Sequence, residues 1–279
     1  MRLIRLVLVL LLTMAAAWPA AQEPAPPPVE PLHRPFDEIL DLYVRDGLVY
    51  YYALRQERAK FDRYVLALGE VGADTVAKWP QPRQLAYWIN AYNAFVLRTV
   101  IDAYPIRGKA PEYPAVSIRQ IPGAFERRTF RAGGRQLTLD ALERDVIGAF
   151  DDPRALLALS RGAVGGSRLK SEAFTADRLD QQLTAMTSEL VTRRVLVQVD
   201  AGNNKLSVNP MFSWREALFT RTLANRAPAI YASRGPIERA VLALIEPLIV
   251  PNEAEFLRKN EFAMVFHEFD WRLNDLTGR

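Results

Sequence analysis

The sequence predicts an α+β protein: a single mainly helical domain with short β-hairpins, residues 36–279, behind a signal peptide, 1–21, and a proline-rich spacer, 22–35. Three observations predict it. Apolar residues recur at helical spacing over most of the chain. Short alternating stretches turn on glycine or asparagine pairs. No internal repeat or second linker divides the sequence.

Arg2 and Arg5 form a positive n-region, Leu6 to Ala17 an apolar h-region, and Ala15-Ala16-Ala17 a small-residue cleavage site, with a cut near Ala21 as the alternative. The apolar run is shorter than the ~20 residues of a spanning helix, so membrane contact is expected only if the leader stays uncleaved. The expected location is periplasmic or secreted. Prolines at 24, 26, 27, 28, 31 and 35 then predict an extended spacer outside any core.

The elements follow in order. Phe36, Ile39, Leu40, Tyr43 and Val44 have helical spacing, stopped at Gly47. A second helix is expected from Leu54 to Leu68, with Phe61, Tyr64, Val65 and Leu68 on one face. Trp79-Pro80-Gln81-Pro82 breaks the chain. The clearest helix spans Arg83 to Tyr104, striped by Leu85, Trp88, Ile89, Tyr92, Val96 and Val100 and ended by Pro105. Asn90 and Asn93 share a face beside that stripe. Thr129 to Leu137 reads as a hairpin turning at Gly133-Gly134, and Thr138 as the cap of a helix reaching Phe150. Val195 to Val208 reads as a second hairpin, with Gly202-Asn203-Asn204 at its turn. Ser213-Trp214-Arg215-Glu216 has capping-box spacing, Val241 to Ile249 is a further apolar helix, and Phe262 to Phe266 a late strand.

Composition excludes several functions. The 279 residues are 49% hydrophobic and 24% charged, an ordinary globular balance. The net charge of +4 falls to +2 without Arg2 and Arg5, because residues 1–21 hold no acid, which argues against nucleic acid as a partner. The absence of cysteine removes disulfides, thiol catalysis, thiolate metal sites and lipoprotein anchoring.

Leu85-Ala86-Tyr87-Trp88-Ile89-Asn90-Ala91-Tyr92-Asn93-Ala94 is similar to the FWINAYNA signature of the DUF547 family, a family of unassigned activity. Later blocks also resemble it: Tyr104-Pro105, Leu137 to Glu143, Asp152-Pro153-Arg154, Ala173 to Ala176, Leu206-Ser207, Phe212-Ser213-Trp214 and Phe269 to Asn274. The resemblance spans Phe36 to Asp275. It implies a Glu, then a His, a second His and two Cys, a set suited to a thiol or metal site. This chain keeps Glu143 but has Arg144, Leu156, Arg161 and Gly166 at the other positions. The expectation is a retained fold with the ancestral chemistry lost.

Only His267 stands in the expected domain, since His33 falls in the spacer, so neither a metal nor another cofactor is expected. Candidate catalytic groups are Glu143, Ser167, Lys170 and His267. Ser167 and Lys170 form an S-x-x-K pair that would share a face on one helical turn. An alternative assigns the Gly162 to Lys170 stretch to anion binding, with free amides at Gly165 and Gly166 helped by Ser167, Arg154, Arg161, Arg168 and Lys170. A plain loop is the third reading. Asn90 and Asn93 either tie their helix to neighbouring loops or orient a ligand, and Glu143 has Arg144 or Arg154 as expected ion-pair partners. The leading functional expectation is a non-catalytic binding or scaffold protein whose partner is a small molecule, peptide or glycan of the cell envelope. The alternative is a hydrolase or transferase acting on an amide or ester through Ser167/Lys170 or His267.

Overall fold

A computed structural model describes residues 30–278. The expected signal peptide and residues 22–29 of the spacer lie outside the described residues. The architecture is mainly helical α+β, as the sequence predicts.

The fold starts earlier than expected. The amides of His33 and Arg34 donate to the Glu30 carbonyl (2.9 and 3.0 Å), forming a turn that leads into α1 (Arg34–Tyr43). Pro35 sits in the first helical turn, where its missing N–H costs nothing. His33 is therefore core, not spacer: it is 3% exposed, and its Nδ1 lies 2.9 Å from the Tyr64 hydroxyl. Burial, reinforced by the Arg83 charge, pushes its pKa down to about 4. An unfolded His33 takes up its proton near 6.5, so between there and about 4 only the unfolded chain is protonated and stability falls with pH. The expected loss is about 3 kcal/mol over that window. His33→Gln, which can still meet Tyr64, should remove that part of the pH dependence in urea titrations. An unchanged slope would contradict the assignment.

A tight hairpin, β1 (Val44–Arg45) and β2 (Leu48–Val49), follows α1. The expected second helix is two helices, α2 (Tyr51–Gln56) and α3 (Ala59–Glu70), broken at Glu57-Arg58. The short α4 (Ala73–Ala77) and the proline break lead into α5 (Gln81–Ala103). The expectation for α5 was a striped helix. Instead every residue from Leu85 to Leu97 is buried, because α2, α3 and the segments around residues 139–150 and 176–178 surround it.

The strands β3 (Thr129–Ala132) and β4 (Arg135–Thr138) form the expected hairpin, with Gly133 and Gly134 at φ +55° and +70°, values glycine adopts at little cost. Thr138 Oγ1 accepts from the Ala141 amide (3.1 Å) as expected. The helix it caps is not one α-helix, however. A short α6 (Leu139–Ala141) passes into a π-helical turn (Leu142–Val146) and then a 3-10 turn (Ile147–Phe150). Beyond α7 (Arg154–Leu157), the chain from 158 to 175 is irregular until α8 (Leu179–Thr192).

The second hairpin, β5 (Val197–Asp200) and β6 (Lys205–Val208), gains a parallel third strand, β7 (Ala263–Phe266), giving the order β5-β6-β7. Between β6 and β7 lie α9 (Met211–Trp214), α10 (Glu216–Leu223), α11 (Pro236–Ile245) and α12 (Pro251–Arg258). The expected capping box at Ser213 does not form. Ser213 is inside α9 and its hydroxyl donates to the Pro210 carbonyl (2.8 Å), leaving α10 without a side-chain cap. The apolar helix expected at Val241 begins at Pro236, where Glu238 accepts from the Gly235 amide (3.1 Å).

The last segment, Asp270 to Leu276, is a strap. It is hydrogen-bonded by backbone to Val49, Val116 and Gly162 to Gly165. Asn274 fastens it further, accepting from the buried Tyr51 hydroxyl (2.7 Å) and donating to the Gly47 carbonyl (3.0 Å). One hydrophobic cluster runs from Phe36 to Leu273. No helix among the described residues is long and apolar enough to cross a membrane.

Candidate functional site

A cleft of about 300 Å³ has Glu143 and Arg161 on its floor. The π turn carries Glu143 inward until only about 5% of it is exposed. The irregular segment after α7 brings Arg161, 3% exposed, against it. Arg161 Nη2 donates to Glu143 Oε1 at 2.7 Å, and the Tyr92 hydroxyl of α5 donates to Oε2 at 3.3 Å. Arg215 Nε adds an ion-pair contact of 3.3 Å to Oε1. Burial tends to lower the Arg161 pKa, but the Glu143 charge outweighs it and holds the guanidinium above its usual value. Burial, with Glu143 beside it, pushes the Tyr92 hydroxyl well up, so it remains a donor.

An aromatic wall rises from this floor. Trp214, at the end of α9, stacks on Trp271 of the strap with centroids 5.7 Å apart and planes 16° from parallel. Arg161 lies over Trp214 (5.1 Å), while Arg119 lies over both Trp271 (4.6 Å) and Phe125 (4.5 Å). Arginine and aromatic planes thus brace one another, an arrangement favoured by the ring quadrupoles. Arg119 also donates to Glu126 (2.5 Å), and Arg215 to Asp140 (2.5 Å). Tyr113, at right angles to Trp271 (84°), completes the lining.

Two of the sequence candidates, Glu143 and Arg161, meet here. Arg144 and Arg154, the expected partners of Glu143, do not reach it. Arg144 binds Asp140 (2.6 Å) and Asp145 (2.7 Å) at the surface, and Arg154 binds Asp152 (2.7 Å), Asp180 (2.9 Å) and Thr184 (2.8 Å). The remaining departures from the family pattern are absorbed by packing. Leu156 is 3% exposed core, and a Cβ at Gly166 would meet the Phe269 ring at 3.4 Å and the Arg161 Cβ at 3.9 Å.

The other candidates are separate. Ser167 and Lys170 stand in irregular chain rather than on the helical turn their pairing required. Lys170 Nζ bonds Glu189, whereas the Ser167 hydroxyl is buried without a hydrogen-bond partner. His267 does not line the cleft, and partial burial lowers its pKa. The anion-cradle reading required free amides, but the Gly165 amide donates to the Asp270 carbonyl (2.9 Å) and that of Gly166 to Ala163 (3.3 Å). The strap lies so close that a Cβ at Gly165 would stand 2.6 Å from the Asp270 nitrogen. Arg168 is spent on the Asp46 carbonyl and Glu189. Asn90 clamps both backbone groups of Phe174 (2.8 and 2.9 Å), and Asn93 accepts from the Ser160 amide (2.8 Å) and donates to the Ala158 carbonyl (3.1 Å). These amides therefore hold the segment that delivers Arg161.

Residues 76–191 match the family model described as protein of unknown function, DUF547. The chain carries a DUF547 domain. No curated protein and no solved structure matches the chain. The matched DUF547 span supplies Arg119, Glu143 and Arg161, while Trp214, Arg215 and Trp271 come from beyond it. The sequence singles out neither Trp214 and Trp271 nor Arg119 and Arg215 as site residues. A signal was present: two distant blocks resembling the DUF547 family, Phe212 to Trp214 and Phe269 to Asn274, each carry a Trp, and Arg215 directly follows the first.

Proposed function

We propose that the protein is an exported component of the bacterial envelope that holds a ligand in the Glu143 cleft as a non-catalytic binding or scaffold protein. The observation carrying this reading is the buried Glu143–Arg161 pair at 2.7 Å on the cleft floor. A general acid or base must present its oxygen to the substrate, but those of Glu143 are already directed at Arg161, Arg215 and Tyr92. Among the described residues lining the cleft there is no Ser, Thr, Cys, His or Lys, and the other two carboxylates, Glu126 and Asp140, are each held by an arginine at 2.5 Å. Export is supported by Arg2, Arg5 and the Leu6–Ala17 run.

The test is a thermal-shift screen of the protein lacking residues 1–21 against envelope metabolites, peptides and glycans. A ligand at a hundredfold its Kd should add about 2.7 kcal/mol and raise Tm by roughly 5–10 °C. The shift should fall in Arg215→Ala, whose side chain lines the wall. A shift indifferent to that change, or conversion of the ligand to product, would overturn the reading.

A further inference from the structure

We propose that the ligand of this cleft is a neutral saccharide. The proposal rests on the binding reading above and adds the chemistry of what is bound. It follows from the way charge is distributed in the cleft. Three arginines, Arg119, Arg161 and Arg215, face three carboxylates, Glu126, Asp140 and Glu143. Each carboxylate is already engaged: Glu126 by Arg119 (2.5 Å), Asp140 by Arg215 (2.5 Å) and Glu143 by Arg161 (2.7 Å).

The charges of the lining sum to zero, so a ligand with net charge finds no excess of opposite charge to repay its own desolvation. A hydroxyl-rich neutral molecule has no such charge to desolvate. A paired carboxylate keeps spare lone pairs, a guanidinium with five N–H groups keeps spare donors, and each sugar hydroxyl both donates and accepts. Hydrogen bonds to ionised groups are about twice as strong as neutral ones, so the site binds hydroxyls well without changing its own charge.

Preorganisation favours the same ligand class. Arg119 is fixed between Phe125 and Trp271, and Arg161 between Trp214 and Glu143, so little rotamer freedom remains to be lost on binding. The half-buried Tyr113 adds aromatic surface for the C–H positions of a sugar ring. The cavity, at about 300 Å³, is at the small end of ligand sites and limits the bound part to roughly one or two rings.

The experiment is isothermal titration of the protein lacking residues 1–21 with two groups of probes. The neutral group comprises mono- to tetrasaccharides of glucose, galactose, mannose and N-acetylglucosamine, and the charged group comprises glucosamine, glucuronate and the dipeptide Ala-Ala. A neutral saccharide is expected to bind and quench tryptophan fluorescence. Its Kd should change less than about twofold between roughly 20 and 500 mM NaCl, because no ionic bond to the ligand is screened. Asp140→Asn should weaken it by about tenfold or more, since the neutral amide accepts more weakly. Binding of a charged probe alone overturns the ligand class and leaves the binding reading standing. Failure of every neutral saccharide also overturns it. Cleavage of a bound sugar sinks the non-catalytic reading while keeping the ligand class.

Discussion

Replacing Arg161 with methionine is expected to cost about 3 kcal/mol of folding stability, because it leaves Glu143 buried without its main counter-charge. Both side chains are almost fully buried, 4% and 6% exposed, so solvent cannot take over the lost bond. The contacts from Tyr92 and Arg215, both 3.3 Å, soften the loss without replacing a 2.7 Å charge-assisted bond. Glu143→Leu alone should cost a similar amount by stranding Arg161. The double variant Arg161→Met/Glu143→Leu should recover most of it, since a buried pair is often matched by apolar residues of similar volume. Urea unfolding of all four proteins gives the coupling energy directly. Single costs below about 1 kcal/mol, typical of an exposed pair, would show that the two charges are not buried together.

Asn90→Ala is expected to cost about 3 kcal/mol. The Asn90 amide is the partner of both the N–H and the C=O of Phe174 and is itself 0% exposed. Removing it strands two buried backbone groups, each worth roughly 1–3 kcal/mol when left unbonded. Asn90→Asp, which keeps the acceptor and loses the donor, should lie closer to wild type only while the added charge remains tolerable, so alanine is the cleaner probe. The effect should also be local. Hydrogen exchange at the Phe174 amide should lose its protection before α5 does. A stability change under about 1 kcal/mol, with Phe174 still protected, would mean that other groups hold this segment.

These two variants mark where sequence reasoning reached and where it stopped. The Asn90/Asn93 spacing of three, set in an apolar helix, made a tie to neighbouring loops one of two readings, because an unbonded buried amide is costly wherever it lies. The hairpin at Gly133-Gly134 and the Thr138 cap were legible for the same local reason. Long-range partners were not. Glu143 is eighteen positions from Arg161, in a stretch with no periodicity, and nearer arginines offered themselves in the sequence. The π turn that carries Glu143 inward has no composition of its own. The Pro31 to Pro35 region reads as an extended spacer by proline content, yet Pro35 is also a suitable first-turn residue, and the buried His33 next to it depends on a contact with Tyr64. The Trp214–Trp271 stack joins residues fifty-seven positions apart through the strap, and only the fold brings them together.

The structure also accommodates each residue that departs from the pattern the DUF547 resemblance implies. Arg161 forms a bond with the retained Glu143, Leu156 fills core, Arg144 turns to surface acids, and Gly166 leaves room for Phe269. Leu156 and Gly166 are explained by packing, Arg144 by surface ion pairs and Arg161 by its bond to Glu143, which leaves both charges at the floor of the cleft paired.

The most direct measurement is the fate of a bound ligand. A saturating ligand from the screen is incubated for a day with the protein lacking residues 1–21, and its mass is then compared with a control without protein. Quantitative recovery of the unaltered molecule, with the cleft still occupied by tryptophan fluorescence, is the predicted result. Steady accumulation of product, abolished in Glu143→Gln under conditions where that variant remains folded and still binds, would show that the carboxylate is free to act and would contradict the account.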